Sequence, residues 1–141
     1  MRRSIFLRSE PLWLPVDKVI EINRDEVAER PGEVFFLRNR GLLEGACARP
    51  RNHWNYGGQD DIVALAVVLL LGIAQSHSFE QANHRTALVA AASFLEANGY
   101  LVTCPRDRVT GKFIRRAVRG AIPEDEVLEI ARLNIVSLPS T

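Results

Sequence analysis

The segment SHSFEQANHRTA starts at Ser76 and sets His77, Glu80, Gln81, Asn83, His84 and Arg85 just ahead of a long alanine-rich apolar run. Such a run reads as a core helix, so these polar groups stand at its N-terminal mouth. A helix start exposes backbone N–H groups at the positive end of the helix dipole, which makes residues 82–85 a candidate anion site. Ala82 is small enough for a phosphate to approach the backbone closely, and Asn83 can accept from a neighbouring N–H and hold the turn open. Arg85 carries a planar fork suited to phosphate oxygens. His77, at the far end of the loop, can take a proton near neutral pH. Together they suit a site that grips a polyphosphate and activates a hydroxyl. Taken singly, each has a plainer reading: His77 as a helix C-terminal residue, Asn83 as an N-cap, Arg85 as a solvated helix residue.

The elements that must position this loop follow from periodicity. LPVDKVIEINRDEVAERPG puts Val16, Val19, Ile20, Asn23 and Val27 near one helical face, and Pro31-Gly32 ends that helix. A short helix carries Leu42, Leu43, Ala46 and Cys47 and is expected to stop at Pro50, with 51–59 (RNHWNYGGQ) as a loop. Asp60 or Asp61 opens a helix running to about Gln75 that is apolar all round and therefore central. The second central helix spans about 83–97 and ends at Asn98-Gly99. Two shorter helices follow, one presenting Val109, Phe113 and Ala117 with Gly120 as C-cap, the other opening with Pro123 and three acids and turning Val127, Ile130 and Ala131 inward. No hairpin is evident. The expectation is one all-α domain over 1–141, a compact bundle around two central apolar helices, with a motif loop at 76–86 and a frayed tail at 137–141.

Composition narrows the function classes. The chain has 141 residues and a net charge of +1, which gives no global argument for nucleic acid. The basic cluster of Arg106, Arg108, Lys112, Arg115, Arg116 and Arg119 is followed at once by acids at 124–126, so it reads first as a solvated face or a docking surface for an acidic segment. The longest apolar run, 62–74, is shorter than the ~18–20 residues of a membrane span, and the N-terminus is not a convincing signal peptide. Cys47 and Cys104 make neither a metal pair nor a disulfide framework, consistent with a cytoplasmic protein.

HSFEQANHRTA resembles the signature of the Fic/Doc family, His-x-Phe-x-acid-(Gly/Ala)-Asn-(Gly/Lys)-Arg, at His77, Phe79, Ala82, Asn83 and Arg85. LWLPVDKVIEIN and GLLEGACARP resemble the first helices of Doc-type (death-on-curing) toxins, so the likeness covers about residues 12–101. Ala82 in place of glycine, and the lack of a second arginine three residues after Arg85, place it on the Doc side. The resemblance implies a helical bundle that moves a nucleotide-derived group onto a protein hydroxyl. For Doc toxins that is a phosphate passed from ATP to elongation factor Tu, which stops translation, under control of a Phd-like antitoxin. His77 would then be the general base, with Ala82, Asn83, His84 and Arg85 holding the phosphates.

Two positions depart from the pattern. Gln81 stands where the family has an acidic ligand for Mg2+; a neutral oxygen binds magnesium more weakly, leaving Gln81 and the adjacent Glu80 as candidate metal ligands. His84 stands where Doc toxins have lysine and AMP transferases glycine. An impaired enzyme that only binds, or an AMP transferase, are therefore alternatives to the kinase. The inhibitory (Ser/Thr)-x-x-x-Glu-(Gly/Asn) helix of self-inhibited relatives is not evident, since Arg40 precedes Glu44-Gly45.

Overall fold

The computed structural model describes residues 5–139. Six helices are found among them: α1 (Val16–Ala28), α2 (Arg40–Gly57), α3 (Ile62–Ser76), α4 (Asn83–Ala97), α5 (Arg108–Val118) and α6 (Glu124–Leu133). The architecture is the expected all-α bundle, with α3 and α4 at its centre. Leu65, Leu69 and Ile73 of α3 and Ala87, Ala90 and Phe94 of α4 are buried together, and the alanines let the two backbones approach closely. Helix α1 closes the bundle beside α4 with Val19, Ile22 and Val27, and Trp13 stacks on Phe94 at 5.9 Å. No helix among the described residues is long and apolar enough to cross a membrane.

Four expectations need correction. Pro50 does not stop α2; it is buried inside the helix, which continues through 51–57 to a left-handed cap at Gly58, φ 64°. Proline cannot donate to the carbonyl of Ala46, one turn back. That carbonyl faces Gly72 of α3, so closely that a Cβ on Gly72 would lie 3.5 Å from it. The apolar face of α2 continues past the proline to Trp54, which packs on the core, and this packing carries the helix through. Tyr56, by contrast, is exposed.

Secondly, two short strands exist: β1 (Tyr100–Val102) and β2 (Ile135–Ser137) pair antiparallel, with Leu101 opposite Val136. They follow α4 and α6 and lie too far apart in sequence to leave a hairpin signal. Thirdly, the tail is not frayed from 137 onward. Ser137 is in β2 and the N–H of Leu138 donates to the carbonyl of Gly99 at 2.8 Å, while 140–141 lie outside the described residues. Fourthly, Val109 is exposed; α5 buries Ile114 beside the expected Ala117.

Candidate active site

The loop between α3 and α4 is held from three sides. From below, Phe79 is buried, and Asn83 closes a ring onto it, accepting from the Phe79 N–H at 3.1 Å and donating to the Phe79 carbonyl at 2.8 Å. From α1, Asn23 donates through Nδ2 to the carbonyl of Gln81 and to Thr86 Oγ1, both at 2.9 Å. From the outer side, residues 34–38 run antiparallel to the loop as a strap. The N–H of Glu80 donates to the Phe36 carbonyl at 2.9 Å, and the N–H of Arg38 donates to the Ser78 carbonyl at 2.7 Å. Leu37 and Phe79 form the bridge at its centre.

Two residues in the loop have left-handed backbone: His77, φ 49°, which caps the C-terminus of α3, and Ala82, φ 64°, which precedes α4. A side chain in that conformation costs ~1–2 kcal/mol. The bonds of Asn23 and Asn83 offset this cost and hold the kink at Ala82. The kink aims the start of α4 outward. The N–H groups of Asn83, His84 and Arg85 have no partner among the described residues, while the N–H of Thr86 makes the first helical bond, to Ala82. No side chain caps α4 and no acid lies in its first turn.

These N–H groups face a cavity of about 620 Å³, within the ~300–1,000 Å³ range of small-molecule sites. His77, Gln81, Ala82, Asn83, His84 and Arg85 all line it, together with Glu80, so the motif residues come together as one wall. His77 is exposed at its edge. Opposite stand residues that the motif did not point to: Arg30 beyond α1, and Arg106, Arg108 and Arg115 on and before α5. Trp54 and Tyr56 do not line it. A second cavity of about 460 Å³, almost wholly apolar, lies between α3, α4, α5 and α6 and shares Leu88, Asp107, Thr110 and Ile114 with the first.

Several polar side chains already have partners. The Arg85 guanidinium donates through Nη2 to both carboxylate oxygens of Glu33 at 2.6 Å and through Nη1 to the carbonyl of Glu26 at 3.3 Å. Arg106 pairs with the largely buried Glu26 carboxylate at 2.5 Å. His84 is held below the ordinary imidazole range, first by burial, then by the nearby His77 and Arg115. Its ring is therefore neutral near pH 7 and adds hydrogen-bonding capacity rather than charge.

A family model described as Fic/DOC family matches residues 13–95. The chain belongs to the Fic/DOC family. No curated protein matches the chain. Family membership makes this the fold of a Fic-type nucleotide transferase, and the loop between α3 and α4 lies within the matched residues. The family's magnesium does not suit the donors present here. Gln81 Oε1 accepts from the Val34 N–H at 2.6 Å, which ties the strap to the loop, and Glu80 Oε2 accepts from Arg38 Nε at 2.7 Å. Among the described residues no three His, Cys, Asp or Glu side chains are grouped as metal ligands.

Sequence reasoning missed Asn23 as a loop anchor and Glu33 as the partner of Arg85. Asn23 did carry a signal, a lone amide on an apolar helical stripe, which a fold tolerates only when it is hydrogen-bonded. Glu33 carried none, because its pairing depends on how the turn after α1 meets α4.

Proposed function

We propose that this member of the Fic/DOC family is a Doc-like toxin that transfers the γ-phosphate of ATP to a hydroxyl on a translation factor of the elongation factor Tu kind. The observation that carries this reading is the outward-aimed, uncapped start of α4 sharing one cavity with the exposed His77. Phosphoryl transfer depends mainly on positioning and on stabilising charge over the phosphate oxygens. The N–H groups of Asn83, His84 and Arg85 supply that charge at a helix N-terminus. In the transfer, the hydroxyl oxygen bonds to Pγ, the bond from Pγ to the bridging oxygen breaks, ADP leaves, and His77 takes the hydroxyl proton. Arg85 reaches the phosphates by exchanging its carboxylate partner Glu33 for phosphate oxygens, a like-for-like swap of planar acceptors. The natural inhibitor in this reading is a separate Phd-like antitoxin chain.

The test mixes the protein, or its His77→Ala variant, with elongation factor Tu and ATP labelled at either the γ or the α phosphate. The expected result is γ label on the factor, reduced ~10²–10⁴-fold in His77→Ala, as for loss of a general base. Label retained from the α position instead identifies AMP transfer. No label from either, with the fold intact by circular dichroism, contradicts this reading and leaves a protein that only binds.

A further inference from the structure

The family's acidic metal position is occupied by an amide that is already bonded, and this leaves a question of charge. The triphosphate of ATP carries three to four negative charges, and something must oppose them at the α4 mouth. Of the two acids on the cavity wall, Glu80 is turned onto Arg38, and Asp107 accepts from the Thr110 N–H at 3.0 Å as the cap of α5. The arginines lining the cavity divide into two sets. Arg85 and Arg106 are neutralised by Glu33 and Glu26. Arg30, Arg108 and Arg115 form no ion pair among the described residues. Three unpaired cations set against Asp107 leave a surplus of +2, the charge a divalent ion would bring.

Their placement suits the task. Arg108 and Arg115 are two turns apart on one face of α5, with Gly111 between them. Gly111 has no side chain to block that face, and the Arg115 guanidinium lies back across it, 3.5 Å from where a Cβ would stand. Arg115 also lines the same cavity as His84, the second residue of α4. The guanidinium therefore shares the cavity with the open helix start.

We propose that the cavity neutralises a nucleoside triphosphate with Arg108, Arg115 and Arg30 in place of a divalent cation, so that triphosphate binding is independent of metal. The proposal rests on the nucleotide-transfer reading above and specifies how that site meets its charge. Guanidinium groups make paired, charge-assisted hydrogen bonds to phosphate oxygens, which a bare electrostatic field does not.

The test is isothermal titration calorimetry of the whole protein with ATP and, separately, with inorganic tripolyphosphate, each in excess EDTA and in excess magnesium. The expected result is binding in EDTA within about threefold of that in magnesium. The double variant Arg108→Ala/Arg115→Ala should bind at least about tenfold more weakly in both. Arg119→Ala, at the C-cap of the same helix and off the cavity wall, should bind within twofold of wild type, separating local contacts from general charge. All these side chains are exposed, so the fold, checked by circular dichroism, should persist. Binding that requires magnesium, or a double variant indistinguishable from wild type, overturns the proposal and leaves the transfer reading standing. No binding of either anion under any condition overturns both.

Discussion

The two central helices are each 15 residues long, but their N-termini are finished in opposite ways. At α3, Asp61 occupies the N-cap, and its Oδ1 accepts from the Val63 N–H at 3.0 Å. Its other oxygen accepts from Arg132 at 2.9 Å, both side chains are nearly buried, and the N-terminal segment is bonded alongside through Leu7 and Ile5. At α4, Ala82 stands in the same position with no cap to offer and a left-handed backbone. Among the described helices, α4 alone begins with neither a side-chain cap nor an acid in its first turn. A helix start left unsatisfied lowers stability, and at the other one the fold supplies partners for the Ile62 and Val63 N–H groups. The contrast teaches that the open end is a feature of the site rather than a looseness of the chain, because Asn23 and Asn83 fix the kink that keeps it open.

The contrast can be broken most severely at the closed end. Asp61→Ala removes the cap of α3 and leaves the nearly buried Arg132 guanidinium with only the exposed Glu129 as an acidic partner. The expected loss is about 3–5 kcal/mol in stability by chemical denaturation. Asp61→Ala/Arg132→Leu should regain part of it, since it also removes the buried charge that has lost its buried partner. A loss under about 1 kcal/mol for the single change would mean that α3 is not anchored by this pair.

At the open end the corresponding change is Ala82→Gly, with the opposite sign. Glycine relieves the left-handed backbone at φ 64° but gains freedom in the unfolded chain. The net expectation is a gain of about 0.5–1 kcal/mol, read as a rise in denaturation midpoint. Destabilisation would show that the Ala82 methyl contributes packing that outweighs the strain.

The smallest effect is a pH dependence. His84 has a folded pKa below its unfolded value, so the folded state disfavours the charged ring. The stability it leaves intact is complete above the ordinary value of about 6.5, and is lost as the pH falls through the folded pKa. His84→Gln cannot titrate, so its stability should fall less than that of wild type between pH 7.5 and 5. Parallel curves would remove His84 from the account.

Much of this was legible in the sequence because it rests on local signals. The central position of α3 follows from 62–74 being apolar all round, and the α4 start from a polar run meeting an alanine-rich one. The motif fixed which residues line one wall of the cavity. The opposite wall was not legible in that role: Arg108 and Arg115 look like part of an ordinary basic helix until α5 is seen to face α4. Gln81 and Glu80 read as metal candidates by position alone, and only the course of 34–38 shows what their oxygens hold. Pro50 misled because a rule about backbone donors, valid for an isolated helix, yields to the packing of α2 on α3. Cys47 behaved as its composition suggested: burial pushes its thiol up to about 11, out of the reactive range.

The central claim is that the N-terminus of α4 is an open phosphate site. Its most direct test is a titration of the ¹⁵N-labelled protein with ATP, followed by amide chemical shifts. The largest changes should fall on the backbone N–H groups of Asn83, His84 and Arg85, and the cap of α3 at Asp61–Val63 should stay still. ATP-dependent shifts elsewhere, with these three amides unmoved, would contradict the account.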